Sequence, residues 1–206
     1  MAPTRLISER AVGPSDGELV QRARDGDRDA FRQLVERYQR RIATLALGML
    51  RNREDALDVV QETFTKAYQS LDRFKGDASF YTWTYRIAVN LCIDHQRRET
   101  KLPQASLEPR PGERAARGGE DPLGALPDPS EQGDPFQHTR DAEIAQGLSR
   151  AISELTPEHR AVILLREVDG LSYEEISHVL ECPKGTVMSR LHYARRQLQE
   201  RLRGLR

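Results

Sequence analysis

DALDVVQETFTKAYQSLDRFKGDASFYTWTYRIAVNLCIDHQRR, residues 55–98, carries two helical periods separated by a short break. In the first, Ala56, Val59, Val60, Phe64, Ala67, Tyr68 and Leu71 recur at spacings of three and four. That stripe predicts an amphipathic helix from about Arg53 to Leu71. Asp55, Asp58 and Glu62 fall together on its other side. Like charges so spaced weaken a helix slightly, and a basic partner surface would turn that cost into attraction. An ordinary solvated face gives the same pattern, and Val59, Val60 and Phe64 read as core before contact.

The break, DRFKGDAS (residues 72–79), is a turn by composition, with Gly76 and Asp77 at its centre and Ser79 placed to cap the next helix. Phe74, Phe80, Tyr81, Trp83 and Tyr85 stand around it, interleaved with Arg73, Lys75 and Arg86. Rings offer stacking platforms for unpaired bases, at about 1 to 3 kcal/mol each, and the cations attract the nucleic-acid backbone. Some rings must serve the fold. Phe80, Trp83, Ile87 and Leu91 follow a helical spacing that assigns Phe80, Ile87 and Leu91 to the core and divides Trp83 between roles, leaving Tyr81 and Tyr85 as the expected exposed rings. The helix closes with Asn90, Asp94, His95, Gln96, Arg97 and Arg98. Its last arginines suit phosphates, and equally suit the negative end of a helix.

Upstream, Ser15 with Glu18 has the spacing of a capping box, and Leu19, Val20 and Ala23 begin a stripe resumed by Ala30, Phe31, Leu34, Val35 and Tyr38 beyond a break at Gly26-Asp27. The run Ile42, Ala43, Leu45, Ala46, Leu47, Met49 and Leu50 is apolar over more of its circumference and belongs at the centre of a bundle. Downstream, the 37 residues from Glu99 to Pro135 hold seven of the eleven prolines and eight acidic against four basic side chains. Such a stretch buries too little apolar surface to offset its ordering entropy and reads as a flexible acidic linker, assigned to 99–139. The expected organisation is all-α, with two small helical domains, 15–98 and 140–206, joined by that linker.

In the second domain, Ile144, Leu148, Ile152 and Leu155 mark one helix. Thr156-Pro157 starts another, whose stripe is Ala161, Val162, Leu164, Leu165 and Val168, and Asp169-Gly170 breaks the chain. LSYEEISHVLECPKGTVMSRLHYARRQL, residues 171–198, then gives a short helix opened by Ser172 and Glu175, a tight turn, and a longer basic helix begun at Pro183. That is the outline of a helix-turn-helix, whose second helix enters the major groove. Ser189 and His192 are the expected base readers, with Met188 available for apolar contact. Lys184, Arg190, Arg195 and Arg196 are expected phosphate clamps, and Thr186 and Tyr193 share the exposed side.

Net charge is zero, yet residues 66–98 carry six basic against three acidic side chains and residues 184–206 seven against one. Nucleic acids respond to such local patches, so the overall balance excludes little. Cys92 and Cys182 lie far apart with no CxxC spacing, and the amino terminus lacks the apolar core of a secretion signal. A soluble, intracellular protein is expected. No HExxH, glycine-rich phosphate cradle or nucleophile constellation occurs, so neither catalysis nor a cofactor or metal is expected.

Residues 55–90 and the run LTPEHRAVILLREVDGLSYEEISHVLECPKGTVMSRLHYARRQL resemble regions 2 and 4 of the extracytoplasmic-function (ECF) sigma factors, group 4 of the sigma-70 family. The resemblance implies a chain that binds the beta and beta-prime subunits of bacterial core RNA polymerase, recognises the -10 and -35 promoter elements and assists melting. It implies core contacts at Asp58, Gln61, Glu62 and Phe64, with Asp55 on the same face. It places an extruded -10 base against the loop from Gly76 and Asp77 through Ser79, Phe80, Tyr81 and Trp83, flanked by Arg73, Lys75, Tyr85 and Arg86, and puts Asn90, Asp94, Arg97 and Arg98 near that DNA. It sets Met188, Ser189, His192 and Arg195 at the -35 element. An anti-sigma protein is a further implied partner, able to hold this cytoplasmic chain near the membrane. The family often has Leu where this chain has Thr84 and frequently carries Arg or Lys near Met188, so promoter spelling does not transfer. A helix-turn-helix regulator acting without core polymerase, and an adaptor that binds protein through Asp55, Asp58 and Glu62 without reading DNA, remain rival readings.

Overall fold

The computed structural model describes residues 13–101 and 147–203. Among them every regular element is helical: α1 (Asp16–Arg24), α2 (Arg28–Leu50), α3 (Arg53–Gln69), a short 3-10 turn (Leu71–Arg73), α4 (Phe80–Lys101), α5 (147–153), α6 (Pro157–Ile163), a widened π turn (Leu164–Val168), α7 (Tyr173–Val179) and α8 (Lys184–Leu202). Most of the linker assignment, and the expected helix start near Arg140 with Ile144, lie outside the described residues.

Local chemistry explains the boundaries. Ser15 and Ser172 form reciprocal capping boxes with Glu18 and Glu175. Asp27 accepts from the backbone of Asp29 and Ala30 to start α2, Asn52 does the same for α3, and Thr156 caps α6 with Pro157 just inside it. Arg51, left-handed at φ 60°, stops α2 and lets the chain reverse within two residues.

α2 is the spine of the first unit. Ile42, Ala43, Leu45, Ala46 and Met49 are essentially inaccessible, and the helix packs against α1, α3 and α4. α1 is tied to it by Arg37 and Tyr38, which both donate to Asp16, and to the start of the following loop by Arg24, which donates to Leu71 O at 3.1 Å and to Phe74 O. In the second unit, Ile176, Val179, Val187, Leu191 and Ala194 form the core of α7 and α8.

The two units also pack on each other. α7 lies along α4, and α6 and the π turn reach α2, so that one continuous apolar core runs from Ile42 to Ala194. Arg160 is the main polar fastener. Only 8% exposed, its guanidinium donates to Ile152 O, Ser153 O and Leu155 O at the end of α5, and also to Met49 O at the end of α2. Gln96 of α4 donates to the same Met49 carbonyl at 2.6 Å. Terminal carbonyls of two helices, one per unit, are thereby satisfied by one side chain.

Three stripe assignments need correction. Leu148 is 40% exposed; α5 buries Ala151 in its place, and the chain just after it buries Leu155. Tyr68 is 45% exposed and meets Phe31 edge-on at 4.9 Å, while Thr63 is the inward residue of that helix. Val168 is 55% exposed because the π turn, closed by Asp169 N–H to Leu164 O, adds a residue to one turn and rotates Val168 out of the α6 stripe, whereas Ile163 is buried.

Candidate nucleic-acid interface

Two basic surfaces are built by different means. The first lies where the loop after the 3-10 turn enters α4. Gly76 sits at φ 81°, a left-handed conformation that favours glycine. Ser79 Oγ accepts the Thr82 N–H at 3.0 Å and starts the helix. Phe80 is buried as the anchor of the ring cluster, with centroids 6.0 Å from Phe74 and 5.8 Å from Trp83, and Phe74 and Trp83 are half-buried 5.1 Å apart. Arg73, Phe74, Lys75, Gly76, Asp77, Ala78, Thr82, Trp83 and Arg86 line a cavity of 390 Å³, and His178 of α7 also contributes to its wall. Three cations and an indole face one hollow, which suits an unstacked base with its phosphates.

Further along α4 the expectation about exposure is overturned. Tyr85 is fully buried and Tyr81 partly so: α7 packs along this helix, and the Tyr81 ring lies 5.4 Å from that of Tyr38 and 5.7 Å from the Arg41 guanidinium, both of α2. The Tyr85 hydroxyl donates to Asp169 Oδ1 at 2.7 Å, Arg86 pairs with Glu181 at 3.1 Å, and the Tyr81 and Tyr85 rings lie 4.2 Å apart. Burial pushes the Tyr81 phenol up to about 12, drives Tyr85 higher still, and raises Asp169 to about 6. Asp169 Oδ2 and the Tyr81 hydroxyl have no hydrogen-bond partner. Thr84 is also buried, its hydroxyl satisfied by Phe80 O at 2.7 Å. Asn90, Asp94, Arg97 and Arg98 are exposed at the far end, with Asp94 3.9 Å from Arg97.

The second surface is α8. A turn through Glu181, left-handed at φ 48°, leads from α7 to Pro183 and the start of the helix. Met188 and Tyr193 are 54% and 56% exposed, Ser189 and His192 lie on the same open side, and Thr186 is partly covered. Lys184 pairs with Glu174, Arg195 with Glu167 and Arg196 with Glu200, at 3.1, 2.6 and 3.0 Å. The Glu167 carboxylate raises the pKa of Arg195 further. Arg190 is less free than expected, its guanidinium 3.9 Å from Cys182 Sγ.

The acidic face of α3 remains open at Asp58, Gln61 and Glu62. Glu62 is paired with Lys66 at 2.9 Å, and Asp55 with His95 at 3.4 Å. Phe64 does not join them. It is buried within the α3 stripe, so its ring is unavailable to a partner in this arrangement.

Residues 34–102 match the family Sigma-70 region 2, and residues 145–198 match Sigma-70, region 4. The ECF RNA polymerase sigma-E factor of Escherichia coli strain K12 is 40% identical over 192 residues, 93% of this chain and 96% of that protein. The chain is an ECF sigma factor of the sigma-70 family. The RNA polymerase sigma-H factor of Pseudomonas aeruginosa is 37% identical across 92% of this chain and 95% of that one. Among solved structures, CnrH in complex with the cytosolic domain of CnrY matches this sigma factor with a TM-score of 0.63 and 25% identity, covering 92% of this chain and 97% of that one. The sigma factor RpoE of Bartonella quintana, solved with the anti-sigma factor NepR, shares the fold at a TM-score of 0.59 and 22% identity over 84% and 96%.

Side chains that sequence reasoning did not single out are Arg41, Gly48, Arg160, Asp169 and Glu181. Only Arg160, a lone cation inside the apolar run HRAVILL, and the Asp169-Gly170 break carried a visible signal. Among the described residues, no group of His, Cys, Asp and Glu could hold a metal ion, and no helix is long and apolar enough to cross a membrane.

Proposed function

We propose that this sigma factor works as a noncatalytic promoter-reading subunit with the labour divided among three surfaces. The open carboxylates and amide of α3, Asp58, Gln61 and Glu62 with Asp55 beside them, dock core RNA polymerase. The cavity at the start of α4 takes an unpaired base of the -10 element, with Trp83 and Phe74 as walls and Arg73, Lys75 and Arg86 for phosphates. α8 reads the -35 duplex through Ser189, His192 and Met188, and Lys184, Arg195 and Arg196 hold the backbone. The assignment to residues 15–98 and 140–206 as separate domains belongs to the same proposal.

The observation that carries it is the cationic cavity with one indole edge, built on the same chain as a helix-turn-helix whose reading side is open. Opening a few base pairs costs a few kcal/mol, comparable with one captured base plus stacking and phosphate contacts. Joining the two DNA contacts in one polypeptide raises the effective concentration of the second once the first is made. An anti-sigma protein fits as the regulator, as NepR is the partner in the RpoE complex.

Reconstitution with core polymerase and a randomised promoter library, followed by sequencing of the transcripts, tests the proposal. Two enriched elements should emerge, and initiation without sequence preference would overturn it. Charge reversal of Asp58 and Glu62 to Lys places like charges against a basic partner, which costs up to several kcal/mol. Core affinity should fall at least tenfold, while strand and duplex binding by the free chain stay the same.

A further inference from the structure

The loop that walls the base cavity has little of its own to hold it. Among the described residues, no hydrogen bond holds Lys75, Gly76, Asp77 or Ala78, so the loop is fixed by its two ends. At the far end Ser79 starts α4, its Oγ accepting the Thr82 N–H at 3.0 Å. At the near end the holder comes from another helix. Arg24, half-buried in the last turn of α1, donates from Nε to Leu71 O at 3.1 Å and from Nη2 to Phe74 O. One planar fork thus spans the 3-10 turn from its first residue to the residue that ends it, and the same guanidinium lies over the Phe74 ring, 6.0 Å from its centroid. We propose that Arg24 is a positioning residue for the -10 strand: it sets the Phe74 wall and the entry of the cationic loop, and touches no DNA itself. The inference rests on the functional reading above and deepens it.

The brace is itself anchored. Leu19, Val20 and Ala23 of α1 share one small apolar cluster with Leu71 and Phe80, against which Phe74 and Trp83 pack. At the other end of α1, Asp16 accepts from Arg37 and Tyr38 of α2. Arg24 therefore ties the loop to a fixed frame. Phe74 stands 5.1 Å from Trp83 and 6.0 Å from Phe80, so a shift of its backbone disturbs the stacking wall directly. Arg24 does not line the cavity, and among the described residues no carboxylate pairs with it. Its neighbour Arg22 differs: it forms a surface pair with Asp27 at 2.7 Å and holds nothing of the loop. Two arginines of one helix thus carry the same charge, and only one is connected to the strand site.

The test uses the full chain with Arg24→Gln, Arg24→Lys and, as a control of equal charge loss, Arg22→Gln. The probe is a fluorescent random single strand of roughly 20 bases, longer than one strand-binding site, followed by anisotropy beside a duplex of the same length. Arg24→Gln should weaken strand capture about tenfold, because it frees a wall of the stacking site, and should leave duplex affinity unchanged. Salt separates positioning from contact. The slope of log affinity against log salt should match that of the unaltered chain, whereas a lost phosphate contact would lower it by about 0.7 and overturn the proposal. Arg24→Lys keeps the charge but cannot bridge two carbonyls, so it should recover the affinity only in part; full recovery would reduce the role to charge and count against the fork. That variant also carries the test if Arg24→Gln fails to fold. Arg22→Gln should bind as the unaltered chain does, and an equal loss there would likewise overturn the assignment. Trp83 is the sole tryptophan, so its emission in the free protein should shift in Arg24→Gln and stay constant in Arg22→Gln. Unchanged strand affinity in both Arg24 variants would remove the positioning role alone. No strand binding by the unaltered chain would instead remove the strand site itself, and the inference with it.

Discussion

The two surfaces proposed to face DNA differ less in charge than in what holds their cations. On α8, Lys184, Arg195 and Arg196 are paired with carboxylates of their own unit, at exposed sites. Exposed pairs are worth only about 0 to 1 kcal/mol, so phosphates displace them readily. On α4, Arg86 and Tyr85 are held by the other unit, and Tyr85 is buried with its partner. Freeing them means separating an apolar interface. Exchanging one exposed salt bridge for another costs little, whereas freeing Arg86 and Tyr85 requires parting two packed units.

The largest effect expected from perturbing this contrast is at Arg160, which belongs to neither reader. Its removal would take a donor from four carbonyls at once: Ser153 O and Leu155 O lose their guanidinium contact, while Met49 O keeps Gln96 and Ile152 O keeps the Leu155 N–H. Buried carbonyls that lose a charged donor cost about 1 to 3 kcal/mol each when left unsatisfied. Arg160→Ala should therefore lower stability by that order in a denaturant titration, and Arg160→Lys should rescue it only partly, lacking the fork that spans several acceptors.

Next in size is a split between the surfaces themselves. Trp83→Ala should weaken capture of a single strand by about 1 to 3 kcal/mol, the worth of one stacking platform, and leave duplex binding alone. Arg195→Ala with Arg196→Ala should do the opposite, weakening duplex binding and reducing the slope of log affinity against log salt by about 1 for each phosphate no longer neutralised. Parallel losses on both probes from either change would erase the distinction between the two readers.

Much of this was legible in sequence because it is local. The capping boxes at Ser15 and Ser172, the Thr156-Pro157 start and the helix-turn-helix spacing are set by residues within one turn of each other, and the chain adopts them as expected. The loop from Arg73 to Trp83 was legible for the same reason: Arg73 to Ala78 with Thr82 and Trp83 line one cavity, whereas Ser79, Phe80 and Tyr81 do not. What periodicity missed is tertiary. It places Tyr85 off the core stripe of its own helix, yet cannot register that Asp169, 84 residues away, will accept its hydroxyl. Nor can a 3.6-residue period anticipate the π turn that expels Val168.

Acidity should tilt the packing of the two units more gently. Asp169 rises to about 6 on burial, from an ordinary value of 3.8, so the docked form, with the units packed together, binds its proton more tightly. Ionisation therefore opposes docking fully above about pH 6, and that opposition disappears below about pH 4. The groups facing it are Tyr85 and Tyr81 of α4 and Arg41 of α2, none of which changes charge in that window. The docked fraction, read by distance labels on the two units, should grow as pH falls from 7 to 4. His178 faces the cationic cavity, so the measurement belongs in a His178→Gln background, where Asp169→Asn should abolish the trend.

The smallest change separates folding from docking. Gly48 lies inside α2, where glycine costs about 1 kcal/mol relative to alanine. Gly48→Ala should recover part of that for the helix while pressing a methyl toward the end of Leu164, a flexible side chain that can move aside. The two effects act on different equilibria. Thermal stability should stay level or rise slightly, while the docked fraction falls. Adding Leu164→Ala should remove the clash, so coupling between the two substitutions in docking, but not in the stability of the first unit, isolates the energy of the seam. If Gly48→Ala lowered stability and docking together, the two units would be one cooperative body, and their packing would be a fixed property of the fold.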